Sequence, residues 1–241
     1  MADDRTAWAH AQIRRQPRRQ PGTETIADYL HRLCSATASS LPISGVGLNL
    51  MTESGGGGMA GASDSTSEQL EELQFTLGEG PCIEAFVRGQ PVLEPDLEAP
   101  RATRWPMYST SVLELGVRAV FAFPLQVGAE RLGVLDLYRD QIGSLSAEQT
   151  AQAIAFAGIA VTSLLDHQQG NPPGEGAADL DDPLEYRFEL YQAQGMVAVQ
   201  LRVGVAEALA RLRAYAYATN RRLSDVAGDV VERRLDLADD A

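Results

Sequence analysis

Apolar residues recur along this chain with two periods. "TIADYLHRLCSA" (residues 25–36) spaces Ile26, Leu30 and Leu33 at helical intervals. "GVGLNL" (45–50) alternates Val46, Leu48 and Leu50, as a half-buried strand does. "GGGGMAGAS" (55–63) reads as a loose hairpin connection and "SEQLEELQF" (67–75) as a short amphipathic helix. "QPVLEPDL" (90–97) is extended and punctuated by proline. "RAVFAFPL" (118–125) and "RLGVLDLY" (131–138) are strand-like and joined by the turn "QVGAE", a hairpin signal. In "SAEQTAQAIAFAGIAVTSLLD" (146–166), Ser146 and Gln149 fit a capping box, and Ile154, Gly158, Val161 and Leu165 form one stripe. The order helix, hairpin, helices, hairpin, helix predicts an α+β domain, an antiparallel sheet sandwiched by helices.

Two stretches break these periods. Residues 14–24, "RRQPRRQPGTE", are polar, basic and proline-broken, so residues 1–23 are read as a disordered N-terminal segment. Residues 168–183, "QQGNPPGEGAADLDDP", mark a linker over 168–182. The sandwich domain then spans 24–167, roughly 145 residues and a normal domain size. A small all-α unit spans 183–235, with an acidic tail at 236–241.

The C-terminal unit reads as three helices. The first starts near Pro183, which suits an N1 position, and runs to about residue 203. The second covers 205–218, and the third begins at Ser224 as N-cap with Asp225 in its first turn. In the first helix, Leu184, Phe188, Tyr191, Gly195 and Ala198 follow four- and three-residue steps, while Leu190, Ala193, Val197 and Leu201 form a second stripe. Either the helix has two partners, its own bundle and a second subunit, or both stripes belong to one broad core face.

Composition narrows the class. Of 241 residues, 44% are hydrophobic and 22% charged, as in a soluble globular protein. No apolar run reaches the roughly 18 residues of a membrane span, and the N-terminus carries no secretory h-region. Two cysteines, Cys34 and Cys82, imply no disulfide framework and a cytoplasmic setting. Residues 1–182 hold 24 acidic and 12 basic side chains; residues 183–241 hold 9 and 8, and stopping at Arg234 leaves 6 and 8. Only the C-terminal unit would not repel a polyanion at long range. Histidines 10, 31 and 167 are too dispersed for a metal cluster, so no metal site and no cofactor are read.

"LGEGPCIEAF", "PVLEPDL", "RWPMY", "GVRAVFAFPL" and "RLGVLDLYR" follow one another in an order that resembles the GAF domains of actinobacterial regulators. Such domains are sensory sandwiches that often hold a small ligand between sheet and covering loops. No motif of the cyclic-nucleotide-binding members and no haem or bilin attachment signature is present. Arg187, Leu190, "AQG" (193–195), "LRAYA" (212–216) and "LSDVA" (223–227) resemble the ANTAR domain, the RNA-binding output module of transcription antiterminators. Gln194 stands where many members carry lysine, and Val205 where a capping Ser or Thr is usual.

The resemblance implies a signal-responsive, non-enzymatic regulator that stabilises antiterminator stem-loops in nascent mRNA, acting as a homodimer with a small-molecule effector. Candidate RNA contacts are Arg213 first, Arg187 second, then Gln194, Arg211, Arg221 and Arg222. Arginine forks pair with phosphates and stack on unpaired bases. The plainer reading of these arginines is solvated ion pairs with Glu207, Asp225 and Asp229. Leu184, Phe188, Tyr191, Ala193, Gly195 and Ala198 are candidates for packing and dimerisation. Cys82, Trp105, Tyr108 and Arg118 are candidate walls of the ligand pocket. In "GEGPC", Gly80 caps a helix with Pro81 at its first position, which places Cys82 where the dipole lowers thiol pKa; the alternative is a small buried residue packing a turn. Two further classes stay open: a thiol redox enzyme or sensor using Cys82, and a helical protein-interaction adaptor without RNA. The 48 positions between the cysteines and the lack of a third thiol weigh against the enzyme.

Overall fold

The structure, a computed structural model, describes residues 2–18, 24–52, 57–99, 104–168 and 181–238, and of residues 2, 3, 168 and 181–188 only the backbone. Five strands, β1 (Gly45–Met51), β2 (Gly57–Ala62), β3 (Val92–Glu94), β4 (Ala119–Val127) and β5 (Glu130–Arg139), form one antiparallel sheet in the order β2-β1-β5-β4-β3. The expected hairpin of residues 118–138 is β4–β5, with Val127 opposite Glu130 at the turn. The glycine-rich connection expected after β1 is itself a strand, because Gly57 and Gly61 lie where a Cβ would collide with the Leu50 and Leu30 carbonyls.

Helices cover both faces. α1 (Ala2–Arg15), α2 (Ile26–Ser40) and α6 (Ala147–Gln168) pack on the face carrying Val46, Leu48, Phe121, Phe123, Leu135 and Leu137. α3 (Ser65–Leu77), α4 (Pro81–Arg88) and α5 (Pro106–Glu114) cover the other, with Met51, Val92, Val120, Val134 and Tyr138. β1 is therefore buried along its whole length, not half-buried as its alternation predicts. Its non-aliphatic positions, Gly47, Asn49 and Met51, lie beneath α3 and α4.

The N-terminal segment differs from expectation. Residues 2–15 form α1, with Ala9 and Ile13 buried and the Trp8 ring edge-on to Phe156 at 5.7 Å. Arg32 grips Glu24 with two nitrogens and donates to the Ile13 carbonyl at 3.0 Å, tying α1 to α2. Along α6 the capping box forms, with reciprocal Ser146 and Gln149 bonds of 2.8 and 3.1 Å. The predicted stripe does not: Ile154 and Gly158 are exposed, and the face that docks is Ala153, Phe156, Ala160 and Leu164. The docking face therefore mixes Ala153, Ala157 and Ala160 with Phe156, Ile159 and Leu164.

The linker expected at 168–182 falls on residues 169–180, outside the described residues, apart from its ends. Beyond it lie α7 (Asp181–Leu201), α8 (Val205–Ala218) and α9 (Leu223–Val231), which pack on one another and against α3 and β2. Leu190, Ala193, Val197, Leu212, Val226 and Val230 join the apolar cluster that continues into the α3–α5 face of the sandwich. Helix α9 starts two residues earlier than Ser224 as N-cap predicts. Its N-cap is Arg222, which makes no side-chain cap bond. Glu72 of α3 supplies the missing acceptor, taking the Ser224 N–H at 3.2 Å.

Candidate functional site

The "LGEGPC" stretch is a junction of three helices. Gly78 closes α3 in the left-handed region (φ 68°), and Gly80 opens α4 at φ 139°, a conformation that favours glycine. Between them, Glu79 accepts the Met107 and Tyr108 N–H groups at 2.7 and 2.9 Å and so caps α5, whose N-cap Trp105 makes no such bond. Pro81 takes the first position of α4 and Cys82 the second, as the sequence predicts.

Cys82 then points at the sheet. Its backbone N–H donates to Gln74 Oε1 at 2.9 Å, and its sulfur lies 3.5 Å from Asn49 Nδ2 and 3.8 Å from Met51 Sδ. Asn49 Nδ2 also donates to Glu71 Oε2, and Tyr138 donates its hydroxyl hydrogen to Glu71 Oε1 at 2.8 Å. Gln74 Nε2 reaches both Glu71 and the Tyr138 oxygen, at 3.4 and 3.2 Å. Gly47 makes this possible, since a Cβ there would occupy the Glu71 carboxyl position. Asp136, opposite Gly47 in the β1–β5 register, completes the group. Cys82 Sγ and one oxygen from each carboxyl all lie within 4.8 Å of one another.

All of these side chains are buried. Burial pushes the Glu71 carboxyl well above its ordinary range, and the Asp136 charge adds to the rise. Burial likewise raises Asp136. The Cys82 thiol moves up, through burial first and then the Asp136 and Glu71 charges, which reverses the dipole-lowered thiol expected from its helix position. Neither Asp136 oxygen makes a hydrogen bond of good geometry, nor do Asn49 Oδ1 and the Tyr108 hydroxyl, although Cys82, Glu71 and Asn49 lie close enough to Asp136 to offset part of the rise that burial causes.

Of the four pocket-wall candidates, the structure gathers two: Cys82 and, by proximity of charge, Tyr108. Trp105 is buried nearby at the start of α5, its ring under the Arg104 guanidinium at 4.5 Å. Arg118 is elsewhere, holding the Leu113 and Val117 carbonyls at 3.0 and 3.1 Å and Glu98 at 3.1 Å. Asn49, Glu71, Gln74, Asp136 and Tyr138 were not anticipated. An acid between Val134 and Tyr138 in "VLDLY" was the available signal, but alternation alone assigns it to a wet face. Cys34 lies in the core on the opposite sheet face, buried and with its thiol raised by burial, so the two cysteines face different cores.

The candidate RNA residues are dispersed over α7–α9. Gln194 is buried and donates to the Val205 carbonyl at 2.7 Å, a bond that fixes the α7–α8 turn and removes the amide from solvent. Arg211 is exposed and paired with Glu207 at 3.2 Å; Arg221 pairs with Asp229, and Arg222 is exposed. Arg213 Nε donates to the Phe75 carbonyl at 2.8 Å, at the end of α3. The side chains of Arg187, Leu184 and Phe188 lie outside the described residues. Along α7, Ala193 is core, Ala198 half-buried and Gly195 exposed; Tyr191 meets the Thr52 hydroxyl at 2.6 Å. A groove of about 330 Å³ runs between Met51, Phe75, Phe86, Arg131 and Arg213, so it touches both units and the Met51 neighbour of Cys82.

The GAF domain sequence profile matches residues 23–164, and the ANTAR domain profile residues 178–231. Among solved structures, the GAF domain from a phosphoenolpyruvate-protein phosphotransferase of Coxiella burnetii superposes with a TM-score of 0.53 at 16% identity, covering 70% of this chain and 95% of that one. Its Acinetobacter counterpart gives 0.51 at 13% identity, covering 70% and 97%. At these identities the likeness establishes the fold alone. No curated protein matches the chain.

Proposed function

This chain belongs to the GAF domain family and carries an ANTAR domain behind it, and from that premise we propose that it is a signal-responsive regulator that binds stem-loops in nascent mRNA and favours the antiterminated fold. The observation that carries the reading is the position of Arg213. It is held by the α3 carbonyl of Phe75, so the sensor grips a side chain that the RNA-binding unit needs. That bond uses one of the five guanidinium N–H donors and anchors the side chain to α3, so where Arg213 can present its remaining donors to a phosphate depends on α3. A ligand entering the groove beside Met51 and Arg213 biases this placement, and antitermination then follows from differential binding of one RNA fold over another.

Two copies act together in this reading. Val199 is 79% exposed on the outer face of α7, and a Cβ on Gly195 would meet nothing within 4 Å in one protomer. Glycine costs a helix about 1 kcal/mol relative to alanine, which suits a position where a second backbone must approach. Linking two modest RNA contacts raises overall affinity through effective concentration.

The test is filter binding of the full chain to hairpin RNA over a series of salt concentrations, with sedimentation to establish the oligomer. Binding is expected to weaken with salt. Arg222→Ala should lower both affinity and, by about 1, the slope of log affinity against log salt. A protein that ignores every stem-loop even in dilute buffer overturns the proposal and leaves a protein-interaction adaptor.

A further inference from the structure

We propose that Glu71, Cys82 and Asp136 form a binding site for one divalent transition-metal ion, buried between the sheet and helices α3 and α4. Three protein donors converge there from three elements, and their ligand atoms lie within 4.8 Å of one another. A tetrahedral first-row ion with bonds of about 2.0–2.3 Å holds its donors about 3.3–3.8 Å apart, so binding draws the outermost pair together by up to about 1 Å.

The polar groups left over point the same way. Asp136 is fully buried and neither of its oxygens makes a hydrogen bond of good geometry, the neighbours within reach being the other members of the cluster, Cys82, Glu71 and Asn49; Asn49 Oδ1, also fully buried, has no partner. Uncompensated buried polar atoms of this kind destabilise a fold unless something satisfies them. Among the charged groups that act on Glu71, Asp136 and Cys82, every one is acidic, so among the described residues no guanidinium offsets them. A dication does. Asn49 meets the group through its Nδ2, which donates to Glu71 and lies 3.5 Å from Cys82 Sγ, so it steadies two of the donors.

The donor set chooses the ion. One sulfur with oxygen donors is too soft for magnesium or calcium, which take all-oxygen shells, and suits zinc, ferrous iron or cobalt. Around the donors a second layer is already in place: Tyr138 and Gln74 orient Glu71, and Gln74 holds the backbone of Cys82. Binding displaces the protons held by the thiol and carboxyls into water, and no electron is transferred. The site goes beyond RNA recognition and does not depend on it.

The full chain, stripped with a chelator and dialysed, is titrated with Co²⁺ and in parallel with Zn²⁺. One equivalent is expected to bind, with a thiolate-to-cobalt charge-transfer band in the near ultraviolet. Cys82→Ser should abolish the band, Asp136→Asn should weaken Co²⁺ binding at least tenfold, and Cys34→Ser should leave both unchanged. Circular dichroism establishes that each variant is folded; should Cys82→Ser fail to fold, Asp136→Asn and Cys34→Ser carry the test. A folded wild-type chain that binds no stoichiometric Co²⁺ or Zn²⁺, or a band that survives Cys82→Ser or disappears with Cys34→Ser, overturns the proposal.

Discussion

Asp64 sits at the N-cap of α3 and accepts the Ser67 N–H at 2.9 Å and the Ser67 hydroxyl at 2.9 Å, with the Ser63 hydroxyl on the same carboxylate. Partial burial alone would raise its pKa, but these hydrogen bonds outweigh it and hold the carboxyl below the ordinary 3.8. A carboxyl lowered in the folded state contributes stability above its unfolded pKa and loses it as pH falls through the folded one. Asp64→Ala is therefore expected to lower unfolding free energy by about 1 kcal/mol at neutral pH. In denaturant titrations that difference should shrink below pH 3.8 and vanish in stronger acid. Cys82 teaches the opposite lesson at the same scale. Its place at the second residue of α4 was legible from Gly80 and Pro81, yet the dipole that should lower its pKa is overruled by burial beside two acids. A helix position is local, whereas desolvation depends on what packs above it.

At the scale of elements, α1 shows what pattern reading underweights. Among fourteen residues only Trp8 and Ile13 are large and apolar, too few to register as a stripe, and the basic run after them reads as solvated chain. The surface that receives them, Phe156 and the Arg32–Glu24 pair, is distant in sequence. Ile13→Ala should lower unfolding free energy by about 2–5 kcal/mol, whereas a free tail would give no change in a thermal or denaturant melt. Helix α6 carries the same message differently. Its capping box forms because Ser146 and Gln149 are three residues apart, but its buried face differs from the predicted stripe because Ile154 faces out and Ala153, Phe156, Ala160 and Leu164 face in. For α9 the sequence offers Ser224 as its cap, and the acceptor comes instead from Glu72.

For the whole molecule, that same Glu72 joins the two domains. Its carboxyl takes the Ser224 and Leu223 amides while Arg222 and Asp225 of α9 act on it from nearby; burial dominates and raises its pKa above the ordinary 4.5. A carboxyl raised in the folded state favours folding at low pH, and that advantage declines as pH rises from the unfolded value through the folded one. Relative to Glu72→Gln, the wild-type melting temperature should therefore fall as pH rises from 4.5 and then level off. A constant difference across that range would show that the contact between α3 and α9 does not form in solution. The docking also explains why the buried apolar residues of α7–α9 merge with the core of the sandwich in place of forming a separate one.

The division between what the chain's order determines and what packing decides follows from range. The strand-like runs of β4 and β5 with the turn between them, helical spacing in α2, glycine and proline around Cys82, and the bounds of α8 all rest on neighbours within a few residues, so the sequence by itself determined them. The same holds for the two families, whose motifs keep their spacing. Alternation assigns Asn49 and Asp136 to one face of their strands, but it carries no information on whether that face meets water or another layer. Only tertiary structure decided that it meets Glu71 and Cys82, because a second layer of helices arrives there from elsewhere in the chain. The grip of α3 on Arg213 and Ser224 belongs with it: both contacts join residues more than a hundred positions apart, beyond the reach of any local pattern.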